Sequence, residues 1–345
     1  METTIGFENI KLVLQHGFGF IISKVMFTAA ELGVFDLLRE SGEVLTSAAI
    51  AERLGTSHVG MERLLETCVG LKLLRVEKKD GEALYGNTDV SNLCLAKSSP
   101  RSQYPSMMYS SEVSFSNVLY MTDAVREGKN QMEKIYASPS NDIFAGFYRS
   151  KQDMKKFLDT MNSVWVLNGN EMMSAFDLSC FPLICDVGGG GCALAKECVS
   201  LYPNSTVTIF DLPKVIETAK KHYVSSEEHR ITFHKGDFFK DPVPEADLYV
   251  LSRILHDWND EKCVCLLTSL YKFCKPGGGV LIVEILLNED RSGPLEAHLQ
   301  SMMMLIHTEG KERTPSEYNA LLSAAGFKEI QFKKGSIYSA ILGRK

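Results

Sequence analysis

The sequence carries no surplus of positive charge, no apolar run long enough to cross a bilayer and no paired-cysteine motif, and each absence excludes a class of function. Lys and Arg number 37 against 43 Asp and Glu in 345 residues, a net charge of -6. The chain as a whole therefore lacks the electrostatic footprint that nucleic acid or anionic lipid requires, and neither is an expected partner. The longest uncharged stretch near the N-terminus, Leu12 to Ser23, falls short of the ~20 apolar residues of a spanning helix and includes Gln15 and His16. The first residues lack the positive flank, apolar run and small-residue cleavage site of a secretory signal, so export is not expected. Nine cysteines, an odd number, are dispersed without a C-x-x-C pair, which suggests reduced thiols and a cytoplasmic setting. There is no H-E-x-x-H, no Cys cluster and no helical His pair, so no metal is expected. What the chain does have is the composition of a folded globular protein, 45% hydrophobic and 23% charged, and length enough for about two domains.

Residues 1–100 read as helices followed by a hairpin. Phe20, Val25, Ala29, Leu32 and Leu37 recur at helical spacing, with Gly33 as a stop or bend. Thr46 is placed to N-cap a helix over Ser47 to Leu54 that Gly55 ends, and Thr56 or Ser57 opens another running to about Leu71. Leu73 to Val76, an Asp80-Gly81 turn and Ala83 to Tyr85 form a strand-turn-strand. Helices plus hairpin match a winged helix, whose sharp functional reading is DNA binding. Against it, this segment holds 10 Lys and Arg to 13 Asp and Glu, and Glu62 and Glu66 flank Arg63 on the would-be recognition helix; packing or dimerisation is the better reading.

Residues 101–175 form a helical connector, with patches around Val113 to Glu127 and Asp153 to Met173. From Phe181 short apolar runs alternate with helical patterns, the mark of an α/β fold with a parallel sheet. The expected strands contain Leu183–Cys185, Val207–Phe210, Ile231–Phe233, Leu248–Leu251, Val280–Val283, Ile330–Phe332 and Ser339–Leu342, the last two antiparallel neighbours.

The first of these strands runs into Asp186-Val187-Gly188-Gly189-Gly190-Gly191, and glycines at a strand-to-helix turn let a backbone approach a ligand. The loop also satisfies the dinucleotide pattern, so the acids around it must discriminate. Asp186 precedes the glycines, where it favours a cationic ligand and repels a pyrophosphate. Asp211 ends the second strand, within reach of two ribose hydroxyls. Gly236-Asp237-Phe238-Phe239 follows the third, offering a carboxylate to an adenine amino group and an aromatic face to its ring. An adenosine with an amino-acid tail fits all three better than a dinucleotide does.

Together with Leu255-His256-Asp257-Trp258, Lys275-Pro276-Gly277-Gly278-Gly279 and Glu312-Arg313-Thr314, these motifs resemble in order those of S-adenosylmethionine (SAM)-dependent small-molecule O-methyltransferases, over nearly the whole chain. The resemblance implies a seven-stranded Rossmann-like methyltransferase sheet over 101–345 and an N-terminal winged-helix domain over 1–100 that serves homodimerisation. It implies SAM as cofactor, His256 as general base, and Glu284 and Glu312 as the acids that orient it. Tyr148, Trp165, Gly188, Asp211, Gly236, Asp237, Phe238 and Arg253 would contact the cofactor, and Asp257 the substrate. Stretches such as Asp123-Ala124-Val125-Arg126-Glu127-Gly128 and Ala175-Phe176-Asp177-Leu178 resemble the members that methylate N-acetylserotonin to melatonin, so that hydroxyindole is the expected acceptor. Met303 and His307 stand where those members carry an Asn and a Gln facing the substrate amide, and the departure opens a second reading, another phenolic or hydroxyindole acceptor. A cofactor-binding regulator that uses its winged helix is the alternative outside enzymology.

The residue chemistry agrees with a base at His256. An aromatic hydroxyl with a pKa near 10 is about one part in a thousand ionised at neutral pH, and an imidazole just past a strand end sits where open α/β sheets bind ligands. A carboxylate on its other nitrogen would stabilise the imidazolium formed.

Overall fold

The computed structural model describes residues 7–137, 143–225 and 228–345, with side chains from residue 10 onward. Residues 1–6, read above for a secretion signal, lie outside the described residues. The chain divides into two compact units, residues 1–113 and 114–345.

In the first unit α1 (Phe7–Gly17), α2 (Gly19–Glu31) and α3 (Val34–Ser41) precede a two-residue strand β1 (Leu45–Thr46), α4 (Ser47–Leu54), α5 (His58–Gly70) and the hairpin β2 (Leu74–Lys79) and β3 (Glu82–Asn87). The caps are those the sequence suggests. Thr46 Oγ1 accepts from the Ala49 N–H at 3.2 Å, Gly55 closes α4 in a left-handed turn, and Ser57 Oγ accepts from the Gly60 N–H. Each of the two N-caps, Thr46 and Ser57, satisfies an otherwise orphaned donor, a contribution of about 1 kcal/mol. Strand β1 was not legible, being too short to show alternation; it adds to the hairpin in the order β1-β3-β2. The unit's core packs Phe35, Ile50, Leu65, Leu74 and Tyr85. Its first two helices leave Leu12, Val13, Leu14, Phe18 and Phe20 more than half exposed. Among the described residues no single helix is long and apolar enough to cross a membrane; only the bent pair Ile10–Gly17 and Gly19–Glu31 passes by length and composition together.

The second unit is a seven-stranded sheet flanked by helices. Its strands are β4 (Leu183–Val187), β5 (Thr206–Asp211), β6 (Ile231–Lys235), β7 (Ala246–Ser252), β8 (Cys274–Glu284), β9 (Lys328–Lys334) and β10 (Ser339–Arg344), in the order β6-β5-β4-β7-β8-β10-β9. Strands β4 to β8 pair in parallel, while β10 runs antiparallel to both β8 and β9. All seven strands fall where the apolar runs place them. Those runs are continuous because both faces of the sheet are buried. Ile184, Ile209, Val250 and Leu281 point into one core with Trp165, Met172 and Leu194. The intervening Cys185, Phe210, Leu251 and Ile282 point into the other with Leu266, Leu270 and Tyr318.

The main helices are α6 (Lys151–Met173), α7 (Ala193–Leu201), α8 (Pro213–His222), α9 (Asp260–Phe273), α10 (Leu295–His307) and α11 (Pro315–Ala324). The strand order reverses between β4 and β7, which opens a crevice at the carboxyl ends of these strands.

Candidate active site

Three consecutive parallel strands deliver an acid to this crevice. Asp186 lies in β4, Asp211 ends β5, and Asp237 follows β6. The loop after β4 turns through Gly188 and Gly190, both at positive φ (72° and 47°). The left-handed backbone at Gly188 favours glycine, and a Cβ there would lie 2.5 Å from Ile254 Cδ1, so the tip of that side chain would have to shift. The Gly190 N–H donates to Asp211 Oδ2 at 2.9 Å, tying the glycine loop to the neighbouring strand end. Burial raises the Asp186 carboxyl to about 7, helped by the nearby Asp211 charge, and burial raises Asp211 to about 6 against the N–H groups of Gly190 and Leu212. Two such acids in one crevice favour a ligand that brings positive charge or hydroxyl donors.

The crevice is a cavity of about 940 Å³, within the range for small-molecule sites. Tyr148, Trp165, Gly188, Asp211, Gly236, Asp237, Phe238, Arg253 and Asp257 all line it, as do Asp186 and the rest of the glycine loop. The sequence did not single out Phe144, Phe157, Asn162, Ser252 or Lys262, which also line it. Phe144 and Phe157 come from the helical connector, where no local pattern distinguishes a pocket aromatic from a core one. Trp258 carried a signal, since it directly follows His256 and Asp257. Ser252 Oγ, Arg253 Nε and Trp258 Nε1 are buried without a partner in the protein. Unpaired buried polar atoms around one cavity are characteristic of groups that serve a ligand.

His256 sits just beneath this wall, 3% exposed, in a 3-10 turn (Leu255–Asp257) that follows β7. Its Nδ1 lies 2.7 Å from Glu312 Oε1 and 3.5 Å from Glu284 Oε2, and its Nε2 is 3.7 Å from Asp257 Oδ1. Glu312 is thus the direct partner of the ring. Glu284, at the end of β8, uses Oε1 differently, accepting from the backbone N–H groups of Ile254, Leu255 and His256 at 3.1, 3.0 and 3.4 Å. Burial acts to lower the imidazole pKa, but the carboxylates of Glu284, Glu312 and Asp257 outweigh it and raise it to about 9. Burial pushes Glu284 up as well, against the pull of His256.

Among the described residues, His256, Glu284 and Glu312 are the one trio of such side chains close enough to share an ion, their ligand atoms lying within 4.8 Å of one another. Sequence spacing gives no warning of this trio. Within it His256 Nδ1 is bonded to Glu312 Oε1 and Glu284 Oε1 to three backbone donors, while Oε2 of each glutamate is buried without a hydrogen-bond partner.

Met303 and His307 do not line the cavity. His307 is buried, and both ring nitrogens are occupied: Nδ1 donates to the Met303 carbonyl at 2.9 Å, and Nε2 accepts from Asn117 Nδ2 at 2.9 Å. Burial lowers its pKa to about 4, so the ring is neutral. It packs on Phe147, which packs on the pocket residue Phe157, one layer behind the wall.

With this geometry established, comparison with known proteins is decisive. Residues 118–328 match the O-methyltransferase domain, and residues 14–97 match the O-methyltransferase dimerisation domain. The chain belongs to the O-methyltransferase family. Chicken (Gallus gallus) acetylserotonin O-methyltransferase is 58% identical to it over the full length of both chains. The human (Homo sapiens) enzyme of that name is 51% identical over 98% of each. The crystal structure of human N-acetylserotonin methyltransferase in complex with SAM superposes with a TM-score of 0.94, at 49% identity and 99% coverage of both chains. The α/β class expected from the sequence, with a seven-stranded sheet and an N-terminal dimerisation domain, is that of this O-methyltransferase family.

Proposed function

We propose that the protein transfers the methyl group of SAM to the hydroxyl of N-acetylserotonin, giving melatonin, with His256 as general base. The near-full-length likeness to acetylserotonin O-methyltransferases supports the substrate, and the SAM complex of the human relative supports the cofactor. The observation that carries the mechanism is the 2.7 Å contact between His256 Nδ1 and Glu312 Oε1. In its deprotonated form the ring donates Nδ1–H to Glu312 and presents the lone pair of Nε2 for the substrate proton.

SAM supplies the methyl on a sulfonium, already a good leaving group. The protein's share is position, worth ~7 to 11 kcal/mol of such a barrier, and a deprotonated acceptor. In this reading Asp211 accepts from the ribose hydroxyls, Asp237 from the adenine amino group, and Phe238 covers the ring. Arg253 reaches the carboxylate of the amino-acid tail, and Gly188 in the glycine loop and Gly236 after β6 let the backbone close in. Tyr148 and Trp165 present aromatic faces suited to the cationic sulfur or the nucleoside, and Asp257 holds polar groups of the acceptor. Glu312 stabilises the imidazolium formed in the step. The transfer is metal-independent. The N-terminal unit joins two copies into a homodimer, as the match to the dimerisation domain supports, and nine free cysteines suit the reducing cytoplasm.

The test is His256→Ala, assayed with EDTA present throughout. Calorimetric affinity for SAM should be retained while turnover falls ~10²- to 10⁴-fold; undiminished turnover would remove His256 from the chemistry. A second reading, a different phenolic or hydroxyindole acceptor, is favoured by Met303 and by a His307 whose two nitrogens are already bonded. Comparing kcat/KM for N-acetylserotonin with that for simple phenols and catechols separates the two.

A further inference from the structure

The turn that carries His256 has few backbone bonds of its own, yet the position of one ring nitrogen depends on it. It begins at Arg253, held at a positive φ of 54°, and ends at Trp258. Glu284 gathers its N–H groups, as described above. Two of its carbonyls, Leu255 O and Trp258 O, accept from the Cys263 thiol at 3.2 and 3.5 Å and, with shorter bonds, from the Arg313 guanidinium. Arg313 Nη1 donates to Leu255 O at 2.9 Å, and Nη2 donates to Trp258 O at 2.7 Å. The remaining guanidinium donors go to Asp260 Oδ1, from Nε at 2.9 Å and Nη2 at 2.7 Å, and from Nη1 to Lys311 O at 3.4 Å. All five N–H donors of the planar fork are engaged, and Arg313 is only 1% exposed.

The same segment presses on the turn a second time. A Cβ on Gly310 would fall on the carbonyl oxygen of His256 and within 2.6 Å of the Trp258 nitrogen. Downstream, Thr314 and Glu317 form a reciprocal capping box at the start of α11, which anchors the segment to the helix. Residues 310–314 therefore meet the His256 turn at its backbone (Gly310), its ring (Glu312) and its carbonyls (Arg313).

We propose that Arg313 is a positioning residue for methyl transfer, fixing the backbone of the His256 turn so that Nε2 is held in line with the acceptor oxygen, with Gly310 as the close-packed seat. The proposal rests on His256 being the base. A lysine cannot replace this fork, because a single ammonium cannot span Leu255 O, Trp258 O and Asp260 together. Displacement of a catalytic group by about 1 Å costs on the order of 10²-fold in rate.

The experiment compares Arg313→Lys, Gly310→Ala and Asp260→Ala with the parent, using full-length protein. The readouts are kcat at saturating substrates, KM for the acceptor, calorimetric Kd for SAM, and the acid limb of the kcat profile. Arg313→Lys and Gly310→Ala should lower kcat ~10- to 100-fold and shift the acid limb, with KM and the SAM Kd within about twofold of the parent. Asp260→Ala, which removes only the partly exposed outer partner of Arg313, should lower kcat about threefold or more with the same unchanged Kd. If the first two variants do not fold, Asp260→Ala decides alone. A kcat within about twofold of the parent in the folded variants overturns the proposal, as does a kcat loss matched by an equal loss of SAM affinity. His256→Ala runs in parallel: if it keeps full turnover the base assignment fails, and if it alone loses turnover only the Arg313 role fails.

Discussion

Glu284 and Glu312 are both buried carboxylates within reach of one imidazole, yet their contacts divide the work. Glu312 Oε1 takes the ring hydrogen, whereas Glu284 Oε1 takes three backbone hydrogens. Glu312→Gln can turn an amide N–H toward Nδ1 and invert the tautomer, so turnover should fall by about 10²- to 10⁴-fold, the scale seen when a triad carboxylate becomes an amide. Glu284→Gln keeps an oxygen acceptor for the turn and should lose far less. Both carboxylates raise the imidazole pKa, so removing either lowers it. A base works deprotonated, so kcat/KM of the parent should climb with pH as His256 approaches its pKa of about 9, and the climb should move to lower pH in both variants. A pH profile of each variant measures this; a limb that stays in place would mean that a group other than His256 governs it. His256 and the two acids could be named from the sequence. Which acid touches the ring could not, because Glu284 and Glu312 lie 28 residues apart in the chain and only the fold brings both to Nδ1.

At the scale of elements, the glycine loop between β4 and α7 lines the cavity with its backbone in the left-handed region at Gly188 and Gly190. Gly188→Ala would force a Cβ into the left-handed region, at a cost of about 1 kcal/mol, and set it 2.5 Å from Ile254 Cδ1. Ile254 belongs to the His256 turn, so the loss should appear in calorimetric SAM affinity and in kcat together, with thermal unfolding little changed; normal affinity and normal kcat would contradict the role given to this loop. The strands and their capping residues were legible because their determinants are local: apolar runs of strand length, Thr46 and Gly55 bounding α4, Asp80-Gly81 turning the hairpin. The two-residue strand β1 was not, since its only support is its pairing with β3.

For the whole molecule, apolar exposure on α1 and α2 and the match to a dimerisation domain point the same way. Val13 is 69% exposed and Phe20 60%, which costs solubility unless a second copy covers them. Val13→Asp with Phe20→Asp should shift the protein from dimer to monomer in sedimentation, while the second unit keeps its fold by circular dichroism. A dimer unaffected by both charges would place the interface elsewhere.

The chain order alone determined the class of the protein: an alternation of apolar strands and helices, an acid at or just past the carboxyl end of each of three successive strands, and a histidine after the fourth are local features that neighbouring residues reveal. Tertiary structure decided everything that depends on distance through space. It joined Glu312 rather than Glu284 to the imidazole, placed Phe144 and Phe157 on the cavity wall, drew His307 into a bond with Asn117 behind that wall, and bent one arginine's five donors around the His256 turn. The physical reason is that hydrogen bonds and packing act over a few ångströms, while most of the residues that share these contacts stand tens to hundreds of positions apart in the chain.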